Sequence, residues 1–88
     1  MIRHSTVIAN RLGLHARAAA KLVKVASGFK AHATISTEHM SADAKSILGV
    51  LTLAAGKDTP VTLEVEGPDE EEAVSAILSL FEDRFGEE

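Results

Sequence analysis

The run Leu12-Gly13-Leu14-His15-Ala16-Arg17 places an imidazole, a guanidinium and a glycine together just ahead of an amphipathic segment. A helix start leaves its first backbone N–H groups without intrahelical partners. Ser, Thr, Asp or Asn usually occupies the preceding position and satisfies one of them. Here that position holds His15. The amides of Ala16 and Arg17 then face outward at the positive end of the helix dipole. Arg17 adds a full charge and a fork that matches phosphate oxygens, and Gly13 lets the chain turn sharply into the helix. The result is an anion site with a nucleophilic imidazole at its edge. Imidazole attacks phosphorus at neutral pH without a separate base. The P–N bond it forms is labile, which suits a group that must accept a phosphoryl and then give it up. A lone histidine near a helix start is more often an ordinary surface residue; the missing cap, Gly13 and Arg17 set this one apart.

The elements that would position these groups are legible in the patterning. Residues 2–8 read as a strand. From Ala16 to Ser27, apolar residues Ala19, Leu22, Val23 and Ala26 recur at helical spacing, with Gly28 at the expected stop. Residues 31–36 alternate as a second strand, and a turn leads to a short third strand near Met40 to Ala42. Ser46 can cap a short second helix that the run Ala54-Ala55-Gly56-Lys57-Asp58 closes. Val61, Leu63 and Val65 alternate on one side of a strand with one wet face. The third helix follows, with a capping-box spacing of Asp69 and Glu72, acids in its first turn, and an apolar stripe of Ala73, Val74, Ile77, Leu78, Phe81 and Phe85. The order β-α-β-β-α-β-α with one-sided strands predicts an α+β sandwich, helices covering one face of an antiparallel sheet.

Length and composition bound the rest. Eighty-eight residues fit one domain, 1–88. Three phenylalanines are the only aromatics, so the core must be aliphatic, and the absence of cysteine excludes disulfide and thiolate chemistry. No apolar run is long enough to span a membrane, and the first ten residues lack the apolar core of a secretory signal; a cytoplasmic protein without membrane insertion is expected. Net charge is −4, unevenly placed: residues 1–57 hold eight Lys/Arg and two acids, whereas residues 58–88 hold eleven acids and Arg84 alone. That asymmetry suggests a basic working face on an acidic body. Nucleic-acid binding is disfavoured, because the basic residues are scattered and no aromatics interleave with them. His4, His32 and His39 have no carboxylate or cysteine at a metal-site spacing, so neither a metal nor another cofactor is expected.

The residues around His15 resemble the active-site segment of the HPr family, the histidine-containing phosphocarriers of the bacterial sugar phosphotransferase system. Residues 13–23, Gly-Leu-His-Ala-Arg-Ala-Ala-Ala-Lys-Leu-Val, carry the likeness. Residues 45–53, from Lys45 to Leu53, resemble that family's second segment around a regulatory serine. The likeness spans essentially the whole chain. It implies an open-faced sandwich of four antiparallel strands with three helices on one side. It implies that His15 accepts a phosphoryl group on Nδ1 from phosphorylated enzyme I and passes it to an enzyme IIA domain, with Arg17 and the amides of Ala16 and Arg17 holding the phosphoryl. Such a protein is a stoichiometric carrier and not a turnover enzyme, and is expected to be a monomer. Ser46 would be the position a dedicated serine kinase modifies in many relatives; an N-cap role alone is equally compatible with the sequence. One departure is plain: the family usually has proline after the arginine, where this chain has Ala18. Proline there presets φ and gives up an amide that is unpaired anyway, so the change bears on rates more than on function.

A two-turn helix cannot bury all of Ile47, Leu48, Val50, Leu51 and Leu53 against one sheet. Val50 and Leu53 are expected in the core, and Ile47, Leu48 and Leu51 on an exposed apolar patch where partners dock. Arg17, Ala20, Lys21 and Lys24 form the outer face of the first helix, a docking surface for acidic partners. Two readings compete with a sugar-pathway carrier: a nitrogen-related paralogue feeding a regulatory phosphorelay, and a regulator that binds partners without carrying phosphate. The intact His15 and Arg17 argue against the second.

Overall fold

The computed structural model describes residues 1–87. Four strands, β1 (Ile2–Val7), β2 (His32–Ser36), β3 (Ser41–Asp43) and β4 (Pro60–Glu66), pair antiparallel in the order β1-β4-β2-β3. Helices α1 (Ala16–Ser27), α2 (Ile47–Thr52) and α3 (Glu70–Glu82) cover one face. The period-2 pattern of β4 decides which face. Val61, Leu63 and Val65 are buried beneath the helices together with Ile35 of β2, Leu22 of α1 and Ile77 and Phe81 of α3. Each such side chain contributes about 1.5–3 kcal/mol when fully buried. The opposite face is polar by register: Arg3 lies beside Glu64 and Glu64 beside Thr34, while Ser5 lies beside Thr62 and Thr62 beside Ser36. The open-faced α+β sandwich is therefore as the patterning predicts.

The differences lie at element ends. Ile8 leaves β1, yet its N–H donates to the Thr59 carbonyl at 3.1 Å and its carbonyl accepts from Asp58 N–H at 2.7 Å, so the buried backbone stays paired. The third strand is Ser41–Asp43, one residue beyond the predicted start. α3 ends at Glu82 and does not reach Phe85. The capping box of Asp69 and Glu72 does not form. The Asp69 carboxylate instead accepts from the N–H groups of Lys30 and Ala31, both at 2.9 Å, and Glu70 reaches back to the Gly67 N–H at 3.1 Å. Packing the α1–β2 loop against the α3 start offers Asp69 two backbone donors, which the spacing along one segment cannot reveal.

Those two amides, with the Lys30 charge, hold the Asp69 carboxyl below the usual aspartate range. A depressed folded-state pKa adds stability above the unfolded value that is lost as pH falls through the folded one. Asp69→Ala should therefore lower the melting temperature at neutral pH. The difference from wild type should shrink once both proteins are taken below the ordinary aspartate pKa, as thermal unfolding followed by circular dichroism across pH will show.

Candidate functional site

His15 stands at the N-cap of α1 in extended conformation (φ −76°, ψ −178°), and its side chain makes no cap hydrogen bond. The first intrahelical bond runs from Ala19 N–H to the His15 carbonyl at 2.8 Å. The preceding amides, including those of Ala16 and Arg17, have no intrahelical partner. Two anchors seat this start. Gly13 has φ 66°, and a Cβ placed on it would stand 2.4 Å from the Ala55 carbonyl oxygen and 2.6 Å from Gly56 Cα. Leu14, buried, donates its N–H to that same Ala55 oxygen at 2.8 Å. Only glycine combines that φ with that approach.

The His15 ring, its side chain 30 % exposed, places Nε2 2.7 Å from Oε1 of Glu87, whose side chain is 14 % exposed. The same oxygen accepts from Asn10 Nδ2 at 2.8 Å, and Asn10 Nδ2 also donates to the Gly13 carbonyl at 2.8 Å. Asn10 is fully buried, with Oδ1 meeting no donor among the described residues. The hydrogen bonds from Asn10 and His15, aided by the Arg17 charge, hold the Glu87 carboxyl below the usual glutamate range. It is thus ionised at neutral pH and can only accept. The proton in the His15–Glu87 contact must sit on Nε2, and in the neutral ring the lone pair falls on Nδ1.

A left-handed turn delivers Glu87 to the ring. Arg84, Phe85 and Gly86 have φ of 54°, 56° and 72°. The two non-glycine residues each cost about 1–2 kcal/mol in that region. Burial of Phe85, edge-on to Phe81 at 5.0 Å between ring centroids, offsets about 1.5–3 kcal/mol. Lys21 Nζ donates to the Phe85 carbonyl at 2.6 Å and ties the turn to α1.

Arg11, Leu12, His15, Arg17 and Glu87 line an open cleft of about 450 Å³. A larger hollow of about 680 Å³ on the open sheet face, among Arg3, Ser36, His39, Lys57 and Glu64, mixes charges of both signs and lies away from His15. Arg17, Ala20 and Lys24 are exposed on α1, but Lys21 is half-buried by its bond to Phe85 and is not part of the free basic face. Ser46 caps α2, its hydroxyl accepting from Gly49 N–H at 3.1 Å. Ile47, Leu48 and Leu51 are exposed, Leu48 at 75 %, whereas Val50 and Leu53 are buried, as the two-turn argument requires. Leu12, 60 % exposed at the cleft, extends the apolar surface. Sequence reasoning passed over Leu12, Asn10 and Glu87. The asparagine and the glutamate stand 77 positions apart, and no local pattern marks them as partners.

An uncapped helix start bearing a histidine with Nδ1 as its lone-pair nitrogen, beside an arginine and on an open-faced sandwich, supplies the parts that a phosphohistidine-type carrier needs. Residues 2–83 match the family model described as the PTS HPr component phosphorylation site. The chain is 52 % identical over 87 residues to the phosphocarrier protein HPr of Cupriavidus necator, covering 99 % of this chain and 98 % of that one. It is 36 % identical over 88 residues to the phosphocarrier protein NPr of Escherichia coli, covering 99 % and 98 %. The crystal structure of HPr from Thermoanaerobacter tengcongensis superposes with a TM-score of 0.96 at 41 % identity, covering 100 % of this chain and 99 % of that one. The chain belongs to the HPr family, the phosphocarriers of the phosphotransferase system.

Because the whole helix start rests on Gly13, Gly13→Ala should destabilise the protein by at least about 2 kcal/mol, from left-handed strain and the clash with residues 55–56. Urea unfolding measures this directly; a wild-type midpoint in the variant would show that the loop can seat without the close approach.

Proposed function

We propose that His15 Nδ1 takes a phosphoryl group from phosphorylated enzyme I and hands it to an enzyme IIA domain in sugar uptake and its regulation. The observation that carries this is the His15 ring itself: Nε2 is engaged by Glu87 and the lone pair falls on Nδ1 at the uncapped start of α1. On acceptance the Nδ1 lone pair forms a new P–N bond as the donor's bond to phosphorus breaks; on donation the acceptor's nitrogen bonds phosphorus, the Nδ1–P bond breaks and its electron pair returns to Nδ1. The Arg17 guanidinium and the amides of Ala16 and Arg17 face the added charge. Stabilisation by a few hydrogen bonds is enough to hold the phosphoryl without trapping it. The protein acts as a stoichiometric, monomeric carrier in the cytoplasm.

Partners dock on Ala20, Lys24, Ile47, Leu48 and Leu51, with Leu12 as a further apolar contact. A dedicated serine kinase acting on Ser46 would place negative charge within this surface. The greater identity to the HPr relative than to the NPr relative favours the sugar pathway over a nitrogen-related phosphorelay. Transfer to a sugar-specific enzyme IIA domain, measured against transfer to a nitrogen-regulatory one, separates the two.

Incubation with enzyme I and phosphoenolpyruvate should add one phosphoryl group that is acid-labile and base-stable. His15→Ala should take none, and Arg17→Ala should transfer roughly tenfold more slowly, the weight of one charge-assisted hydrogen bond, while its circular dichroism stays native. Undiminished labelling of the His15 variant, read by intact-protein mass spectrometry, overturns the assignment.

Ser46→Asp puts a carboxylate at a helix N-terminus, which favours α2, so stability should hold or rise slightly. Affinity for enzyme I should fall at low salt through a slower on-rate, and the deficit should narrow as ionic strength rises. Calorimetric titration showing wild-type affinity at low salt would place the docking surface elsewhere.

A further inference from the structure

We propose that Glu87, held in place by Asn10, is a positioning residue that keeps the ring proton of His15 on Nε2 throughout the phosphoryl cycle. The inference rests on His15 as the phosphoryl acceptor and deepens that reading. Three observations carry it. Oε1 of Glu87 takes both the His15 Nε2 contact at 2.7 Å and the Asn10 Nδ2 bond at 2.8 Å. Asn10 is fully buried and spends both amide hydrogens, one on Glu87 and one on the Gly13 carbonyl, while its own oxygen meets no donor among the described residues. Turning that amide over would lose both bonds, so the direction of donation toward Glu87 is fixed. The turn at Arg84–Gly86, pinned by buried Phe85 and by Lys21, aims the glutamate at the ring. Glu87 also lies outside the residues matched by the family model, 2–83.

The arrangement repeats the logic of a carboxylate that orients an imidazole through the nitrogen not used for chemistry. Before transfer, a proton held on Nε2 leaves the lone pair on Nδ1. As Nδ1 bonds phosphorus, the ring gains positive charge that it shares with Nε2–H, and the carboxylate neutralises it. On onward transfer the P–N bond breaks and the electron pair returns to Nδ1. The ring then departs as neutral imidazole, because Nε2 still holds its proton. Without that proton it would have to depart as imidazolate, a much poorer leaving group. Glu87 thus serves both acceptance and donation without touching the phosphoryl.

The test uses a small donor, so that no partner protein dictates the outcome. With phosphoramidate, attack by a ring nitrogen forms the new P–N bond, the donor's P–N bond breaks, and ammonia leaves with a proton from solvent. Wild type should give predominantly the Nδ1-phosphohistidine isomer by phosphorus NMR, and a hydrogen-bonded Nε2–H signal in ¹⁵N-labelled protein. In Glu87→Ala, folded by circular dichroism, the Nε2–H signal should vanish and the ratio of Nδ1 to Nε2 isomer should fall about tenfold, the weight of one charge-assisted hydrogen bond. Glu87→Gln retains an uncharged acceptor and should fall between them. An isomer ratio and an Nε2–H signal in Glu87→Ala equal to wild type overturn the proposal. Labelling by enzyme I runs alongside on wild type. Its failure, with the phosphoramidate ratio still dependent on Glu87, would strike the carrier assignment and leave the positioning role standing.

Discussion

The close approach of Gly13 to the Ala55–Gly56 backbone is the constraint on which the site depends. The Ala55 carbonyl accepts from Leu14 N–H at 2.8 Å and leaves no room for a Cβ one residue earlier. This contact sets where α1 begins and so where His15, Ala16 and Arg17 stand. It also places the Gly13 carbonyl to receive the Asn10 amide, which in turn addresses Glu87. The His15 ring and the unpaired first amides of α1 thus take their places from one backbone contact between the loop after β1 and the loop after α2. Side-chain capping would have satisfied the helix start locally, but it would also have filled the space an anion needs.

Much of this is legible in the sequence. The 3.6-residue recurrence in residues 16–27 and the alternation of Val61, Leu63 and Val65 each report on a single buried face, which is why α1 and β4 were read with little error. His15 and Arg17 were legible because a missing cap is a local anomaly. The illegible parts depend on distant segments. Asp69 has the right spacing for a capping box, but its carboxylate is taken by the amides of Lys30 and Ala31. Phe85 continues the helical stripe of α3, yet it reaches the core through a left-handed turn after the helix has ended. Lys21 reads as one of a row of surface cations, and the Phe85 carbonyl removes it from that row. Asn10 and Glu87 give no sign of each other along the chain.

Charge is distributed to match this division of labour. The acids of residues 58–88 mostly solvate α3, with Glu71 and Glu72 exposed at its start. One of them is brought across to the basic end of the molecule, where Arg11, His15 and Arg17 line the cleft. A lone carboxylate there lowers the resting positive potential of the cleft without abolishing it. Ala18, where the family resemblance implies proline, is fully buried, and the helix entry is held by the backbone contact at Gly13.

The strand order has a consequence in time. β1 is the edge strand beside β4, Ile2 pairing with Val65 and Val7 with Pro60, across more than half the chain. Such pairing closes a long loop and comes late, because the entropy of closure must be overcome before the contacts reward it. The Ala55 carbonyl that seats Leu14 lies on the approach to β4, and Glu87 arrives only after α3. A ribosome-bound chain that has emerged as far as α2 already contains His15, Arg17 and a formed or forming α1. It lacks β4, which pairs with β1, and the Glu87 carboxylate that meets the His15 ring. In order of synthesis the residues of the helix start come early, whereas the contacts that seat them are complete only once the segment leading into β4 and the turn after α3 are present.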